Sequence, residues 1–317
     1  MNNDVTIQKP LFSILIPTWN NLAFLKLCLK SITKNSTFNH QILIHVNDGS
    51  DGTLEWVKKN NITYTHSEQN IGICWSLNLL RTKVETDYIV YMNDDMYVCP
   101  EWDKMLWNEV NKAPDKLFFF SSTLIQPFPC GNKGVIAPAN FGEDTESFQE
   151  EKLLKEYKTL PHHDWFGATP PPNIVHRDIW DLVGGYSVEY SPGMYSDPDF
   201  SAKLWMAGVR LFKGVSDSRV YHFEARSTTR VKKNKGHIQF LLKWGITSGS
   251  FRKDMMKKGE IFDEMRLCNI YHKKLRRDIF RSKLKKYCIY FKTDLLKNYG
   301  SRLMIIFKKD ILIIIFS

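Results

Sequence analysis

Short apolar runs alternate with amphipathic segments through the first hundred residues of the chain. Four runs are rich in β-branched and aromatic residues, as buried strands are: FSILIP (12–17), QILIHVN (41–47), ITYTHS (62–67) and YIVYMN (88–93). Between the first two runs, Leu22, Leu25, Leu29 and Ile32 recur at helical spacing. A strand-helix alternation of this kind predicts an α/β fold with a mostly parallel sheet flanked by helices, because parallel strands need crossover connections.

Each of three predicted strands ends in polar, turn-prone residues: PTWN (17–20), NDGSDGT (47–53) and NDD (93–95). The carboxyl ends of parallel strands meet at one edge of a sheet, where ligands bind in such folds. The adjacent carboxylates of Asp94 and Asp95 repel each other. Taken alone, they indicate either a solvated loop or a site where a divalent cation lies between them.

The net charge of +10 is unevenly distributed along the chain. Residues 1–200 carry 16 Lys and Arg against 25 Asp and Glu, a net −9, and residues 201–317 carry 28 against 9, a net +19. A strongly basic C-terminal part indicates either an anionic partner or solvated basic helices. Membrane head groups, nucleic acid and acidic glycans are the candidate partners. The segment KLRRDIFRSKLKKYCIYF (274–291) is basic and amphipathic, which favours an anionic lipid surface.

The sequence has no obvious targeting or membrane-spanning segment. Its start, MNNDVTIQKP, is polar and lacks the apolar core of a signal peptide, and no run of about 18 apolar residues occurs. The six cysteines form no CxxC pair, so we expect reduced thiols. We therefore predict a cytoplasmic protein that lies peripherally on the inner face of a membrane.

The ordered set of motifs resembles family 2 glycosyltransferases of the GT-A (Rossmann-like) fold, closest to bacterial enzymes that build surface polysaccharides. The motifs are PTWN (17–20), NDGSDGT (47–53), NIGICWSLN (70–78), YMNDDM (91–96), GGY (184–186), SDPDF (196–200) and YHFEARST (221–228). The resemblance covers about residues 11–228. It implies a GT-A domain over 1–230, which leaves a basic, helical, amphipathic extension over 231–317.

This resemblance implies a specific reaction. An inverting enzyme would move a sugar from a UDP-, dTDP- or GDP-linked donor to a hydroxyl of a glycan or lipid-linked acceptor. A divalent cation, Mn²⁺ or Mg²⁺, would neutralise the leaving diphosphate. The aspartate-rich motif that holds this cation in the family aligns with Asn93, Asp94 and Asp95, so its first acid is an amide here. Asp95 is then the main metal ligand, Asp94 contacts the ribose or the metal, and His222 is a further metal or phosphate contact.

The resemblance also assigns the nucleoside pocket. Asp48 would accept a hydrogen bond from the nucleobase, and the remaining contacts would come from Pro17, Thr18, Asn20, Gly72 and Asn78. Leu77 stands where the family has an arginine, and Arg81, one helical turn further on, is a candidate replacement. A plain turn is the alternative reading of the segment around Asp48.

On the acceptor side, the family's Glu-Asp pair aligns with Ser196 and Asp197. Asp197 is therefore the predicted general base, with Asp199 as the second candidate. Both acids also suit the first turn of a helix, where the dipole stabilises negative charge. Trp165 and Phe166 are predicted to stack on an acceptor sugar, with core packing as the alternative.

Two other functions remain open from the sequence. Because Asn93, Leu77 and Ser196 depart from the family pattern, the chain is alternatively a non-catalytic nucleotide-sugar binding protein. The basic C-terminal part also allows a sugar transferase that acts on nucleic acid, although the sequence contains no nucleic-acid-binding motif. A nucleotidyltransferase is disfavoured, since no Gly-rich, basic loop follows the first strand.

Overall fold

A mixed sheet of ten strands forms the centre of the computed structural model, which describes residues 9–224, 234–267, 273–299, 303–308 and 311–316. The strands are β1 (Phe12–Trp19), β2 (Gln41–Asn47), β3 (Thr63–Ser67), β4 (Tyr88–Tyr91), β5 (Met96–Val98), β6 (Phe118–Ile125), β7 (Val135–Ile136), β8 (Trp165–Phe166), β9 (Asn173–His176) and β10 (Leu211–His222). Their order is β3-β2-β1-β4-β9-β6-β10-β5, with β7 beside β6 and β8 beside β10. The half formed by β3, β2, β1 and β4 is parallel, as predicted. Strand β9 runs antiparallel to both of its neighbours.

Helices cover both faces of the sheet. They are α1 (Leu22–Asn35), α2 (Thr53–Lys59), α3 (Gly72–Arg81), α4 (Trp102–Lys112), α5 (Glu150–Glu156), α6 (Arg177–Leu182), α7 (Ser196–Met206), α8 (Gly236–Trp244), the single turn α9 (Ser248–Ser250) and α10 (Lys273–Tyr299). Strand β1 shows why its sequence is continuously apolar: Leu15 joins one buried cluster, whereas Ile14 and Ile16 join the cluster on the opposite face. The predicted α/β fold is therefore confirmed.

The chain that leaves β4 crosses to the far edge of the sheet. It passes through Asn93, Asp94 and Asp95 and then forms β5, which pairs antiparallel with the end of β10. In this pairing Met96 lies opposite His222, and the backbone N–H of Phe223 donates to the carbonyl of Asp95 at 3.2 Å. The same crossing therefore brings the acidic pair next to the histidine at the end of β10.

Residues 234–267 pack against the sheet domain. The side chain of Asn234 donates to the carbonyl of Tyr190 at 2.7 Å. Further along, the N–H of Phe166 donates to the carbonyl of Glu260, and the N–H of Gly259 donates to the carbonyl of Phe166, both at 2.9 Å. Residues 256–262 of this segment therefore form a strap that is held over β8 by backbone hydrogen bonds.

The predicted helical extension is present as α8 and α10, whereas the last described residues form a hairpin. Strands β11 (Leu303–Lys308) and β12 (Ile311–Phe316) pair antiparallel with each other. Their isoleucines explain the departure from helix, because β-branched side chains favour strands. None of the described helices is long and apolar enough to cross a membrane.

Candidate functional site

A pocket of about 630 Å³ opens at the carboxyl ends of β1, β2 and β4. Its walls come from six of the motifs that the sequence analysis singled out, and they include Pro17, Thr18, Asn47, Gly72, Asn93, Asp94, Asp95, Ser196, Asp197, His222 and Glu224. The sheet edge thus brings together most of the predicted donor residues with the predicted base.

The two adjacent acids in the pocket have different partners. Thr18 Oγ1 donates to Asp94 Oδ2 at 2.6 Å, which fixes Asp94 against the end of β1. Asp95 Oδ1 lies 3.3 Å from His222 Nε2. Both carboxylates are buried, with exposed fractions of 9% and 5%. Separate partners on opposite sides let two like charges lie side by side in a poorly solvated site.

His222 lies between Gln126 and Asp95. Its Nδ1 lies 2.9 Å from Gln126 Nε2, and an amide nitrogen can only donate, so the neutral imidazole accepts at Nδ1 and carries its proton on Nε2, towards Asp95. Burial lowers the pKa of His222, but the nearby Asp95 carboxylate outweighs it and leaves the pKa above its usual value. The histidine therefore acts here as a donor that orients Asp95, whereas metal ligation through Nε2 would require that proton to leave.

The acids fit a cation only in part. In the described portions of the chain, no three His, Cys, Asp or Glu side chains surround a common point. Mg²⁺ is nevertheless usually held by one or two carboxylates together with substrate phosphates. Asp94 and Asp95 therefore suit a cation whose remaining ligands come from a bound diphosphate.

Asp48 and Asn20 lie together beside the pocket, at the ends of β2 and β1. Asn20 Nδ2 donates to Asp48 Oδ2 at 2.8 Å, and this hydrogen bond is the main reason that the pKa of Asp48 lies below its usual value. Both residues have positive φ, 46° and 63°. This left-handed backbone turns the two strand ends towards each other and leaves Asp48 partly exposed.

Asn47 is a pocket residue that the sequence analysis treated only as part of a turn. Its Nδ2 donates to the carbonyl of Thr18 at 3.2 Å, and its Oδ1 accepts from the N–H of Ile71 at 2.9 Å. One amide therefore ties the ends of β1 and β2 to the start of α3. Its position as the polar last residue of a buried strand, directly before Asp48, is the signal that could have identified it.

Gly72 and Asn78 hold the loop that closes the pocket. Gly72 has φ +80°, and a Cβ there would lie 2.6 Å from the Cα of Pro192. Asn78 is bonded through both side-chain atoms to the backbone of Tyr186, at 2.8 and 2.9 Å. Gly72 lines the pocket, whereas Asn78 fastens α3 to the Gly-Gly-Tyr segment behind it.

Arg81 does not replace the arginine that the family has at Leu77. Its guanidinium forms a two-pronged ion pair with Asp181 on α6. Leu77 is completely buried in the core. Neither side chain lies in the pocket, so the prediction of a phosphate contact from Arg81 is wrong.

Asp197, the second residue of α7, is half-buried in the pocket wall. No hydrogen bond to its carboxylate is found among the described residues. Burial raises the pKa of Asp197 to about 6, and the positive charge of Lys258 acts in the opposite direction. The pKa of Lys258 is itself lowered to about 8, mainly by burial. A carboxylate with a pKa near 6 is ionised at neutral pH and is still basic enough to accept a proton.

Asp199 has a different environment. It is completely buried, accepts from Trp244 Nε1 at 2.8 Å and pairs with Lys243 Nζ at 3.0 Å. Lys243 also contacts Glu189 Oε1 at 2.8 Å. Asp199 therefore anchors α7 to α8 outside the pocket.

The sequence analysis missed Lys243 and Lys258, because both lie in the predicted extension. Lys243 pairs with Asp199, and the charge of Lys258 acts on Asp197.

Trp165 and Phe166 lie outside the pocket. Their exposed fractions are 1% and 4%, and Trp165 Nε1 donates to Thr123 Oγ1 at 3.0 Å inside the core. The strap at 256–262 covers them. The structure thus places both rings in core packing, where no sugar can stack on them.

Comparison with known proteins agrees with this geometry. The family model described as glycosyl transferase family 2 matches residues 13–163. A search of curated proteins finds no match. Residues 1–349 of S. aureus TarS superpose with a TM-score of 0.53 at 14% identity, covering 97% of both chains, and a crystal structure of the same fragment in complex with UDP gives the same values.

A longer structure of S. aureus TarS gives a TM-score of 0.52 at 11% identity over 91% of this chain. The chain spans 45% of the length of that longer TarS structure. At these identities the superpositions bear on the fold, and the match over residues 13–163 bears on the family. Together they show that the chain has the GT-A fold and that its residues 13–163 match glycosyl transferase family 2.

Proposed function

We propose that the chain transfers a sugar from a nucleoside-diphosphate donor to an acceptor hydroxyl, with inversion at the anomeric carbon. The observation that carries this proposal is the presence, in one pocket, of the Asp94–Asp95 pair and the raised-pKa carboxylate of Asp197. The first group suits a diphosphate-bound cation, and the second suits proton abstraction from a hydroxyl. UDP is the donor nucleotide to test first, because a TarS fragment has been solved with UDP.

The donor would bind with its diphosphate towards Asp94 and Asp95. Mn²⁺ or Mg²⁺, when bound, supplies positive charge to the leaving diphosphate. His222 holds Asp95 in place through Nε2, and Thr18 does the same for Asp94. Asp48 and Asn20, beside the pocket, would contact the nucleobase.

Asp197 would take the proton from the acceptor hydroxyl. The resulting oxygen attacks the anomeric carbon from the face opposite the diphosphate, the new C–O bond forms, and the bond to the diphosphate breaks. A lysine at position 258 keeps Asp197 ionised at neutral pH. A glycan or lipid-linked acceptor of a bacterial surface polysaccharide is the acceptor class that the resemblance to the family favours.

The experiment measures sugar transfer from UDP-sugars, together with UDP binding, for Asp197→Asn and for Asp217→Asn. Asp217 is exposed on β10 and serves as a matched control. We expect Asp197→Asn to lose about a hundredfold or more in kcat and to keep its UDP affinity. Full turnover by Asp197→Asn would contradict the assignment of the base.

The non-catalytic alternative has one supporting observation. Leu77 is buried in the core, so helix α3 offers no arginine to the donor phosphates. A wild-type protein that binds UDP but transfers no sugar to any glycan or lipid-linked acceptor would favour a nucleotide-sugar binding protein.

A further inference from the structure

Helix α10 docks on the sheet domain through one side. Leu275 and Ser282 are 3% and 2% exposed, and Ile279 packs against the same core cluster. The N–H of Thr247 donates to Ser282 Oγ at 3.3 Å. These positions follow the i, i+4, i+7 spacing of one helix face, so they determine which side of α10 points away from the protein.

The outward side of α10 carries a second stripe at the same spacing: Phe280, Leu284 and Tyr287. Phe280 and Tyr287 are 61% and 71% exposed, among the most exposed large apolar side chains described. Exposed basic residues flank this stripe, namely Arg276, Arg277, Lys283 and Lys285. Exposing two large aromatic rings in one stripe to water is unfavourable. The arrangement therefore indicates a surface that binds a partner.

The charge of α10 is strongly positive. Its 27 residues include ten Lys or Arg and two Asp, a net +8. A helix with this excess attracts an anionic surface and is repelled by other basic proteins.

The hairpin after α10 adds apolar sequence to the same end of the chain. Strands β11 and β12 pair with each other over LMIIFK and ILIIIF. No alternation of polar and apolar residues assigns one face of this hairpin to water, as it does in a solvent-exposed antiparallel sheet.

We infer that the outward face of α10, together with the β11–β12 hairpin, is a docking surface for an anionic lipid bilayer. The aromatic stripe would enter the head-group region while Arg276, Arg277 and Lys283 contact lipid phosphates. A bilayer is favoured over nucleic acid because nucleic acid would satisfy the basic residues and leave the exposed rings of Phe280 and Tyr287 in water. None of these residues lines the pocket, so lipid binding can be tested without any assumption about sugar transfer.

The experiment is co-sedimentation of the full chain with vesicles of phosphatidylcholine, or of phosphatidylcholine and phosphatidylglycerol in equal parts. We expect binding to the anionic vesicles and little to the neutral ones. The double variant Arg276→Gln with Arg277→Gln should weaken the partition coefficient by about tenfold or more. Lys58→Gln with Lys59→Gln removes the same charge from exposed positions on α2 and should bind as the wild type does.

A second variant, Phe280→Ser with Tyr287→Ser, tests the apolar stripe at unchanged charge and should also weaken binding. Thermal midpoints measured without lipid establish that each variant is folded. Equal binding of all variants, or equal binding to neutral and anionic vesicles, would overturn the inference. So would displacement from vesicles by an RNA oligonucleotide, or self-association that the Phe280 and Tyr287 substitutions abolish.

Discussion

The raised pKa of Asp197 suits the reaction, but the burial that causes it lowers the stability of the folded protein. Its pKa in the folded protein is about 6, above the ordinary value of 3.8. Below the lower value the carboxyl is protonated in both the folded and the unfolded states, and its burial has no charge penalty. Above the higher value it is ionised in both states, and the folded state bears the penalty of a half-buried charge.

We therefore predict that Asp197→Asn is more stable than the wild type at pH 8, by about 1–3 kcal/mol in the free energy of unfolding. The gain should shrink as the pH falls through 6 and should be nearly absent close to pH 4. Urea unfolding at several pH values measures it. The matched variant Asp199→Asn should behave in the opposite way and lose about 3 kcal/mol at pH 8, because it leaves Lys243 without its buried partner.

Lys258 should set the pH range in which Asp197 works. Its positive charge favours the ionised carboxylate, so Lys258→Met should raise the pKa of Asp197 and move the acid limb of the kcat/KM profile to higher pH. Lys258→Arg should keep the limb near its original position. The neighbouring Lys257 bonds instead to the carbonyl of Arg266 at 2.9 Å, so Lys257→Met is the control. An unchanged acid limb of the kcat/KM profile in Lys258→Met would show that the charge of Lys258 does not act on Asp197.

At the scale of elements, the close approach of α3 to the Pro192 loop depends on a single glycine. A Cβ at Gly72 would meet the backbone of Pro192 at 2.6 Å, and its φ of +80° also strains any other residue. Gly184 has φ +70° but no atom within 4 Å of its Cβ position. The two positions therefore separate steric overlap from backbone strain.

We predict that Gly184→Ala costs about 1–2 kcal/mol, the backbone term alone. Gly72→Ala should cost clearly more and should also weaken UDP binding, because the loop that lines the pocket must move. Urea unfolding and nucleotide titration measure both effects. An equal loss of unfolding free energy at the two positions would show that the Pro192 loop can move away from a Cβ at position 72 at no energetic cost.

The elements themselves were largely predictable from the sequence, because their signals are local. Strand β2 has the predicted bounds, 41–47, and the polar strand ends converge on one pocket. The roles of individual side chains were less predictable. Arg81 forms an ion pair with Asp181, and Trp165 is covered by the strap at 256–262. Each of these partners is distant in sequence, so no local pattern could indicate it.

For the whole molecule, the contacts of residues 234–267 bear on the predicted division at residue 230. Lys243 pairs with the buried Asp199, and Lys258 acts on Asp197. We therefore propose that the catalytic unit extends to residue 267. A chain ending at 230 should lose cooperative unfolding, because Asp199 would be buried without its cation, whereas a chain ending at 267 should keep nucleotide binding. Circular dichroism during thermal unfolding, with UDP titration, compares the two.

In the proposed mechanism, Asp94 and Asp95 bind the diphosphate of a sugar nucleotide through a divalent cation. Thermal shift against UDP, GDP and dTDP, each with and without Mn²⁺, tests it most directly, because a ligand that binds the folded state raises the midpoint. We predict that one nucleotide, UDP first, raises the midpoint only when Mn²⁺ is present. Asp95→Asn should lose that shift, and Asp217→Asn should retain it. A nucleotide shift of equal size without the cation, or no shift with any nucleotide, would contradict the claim.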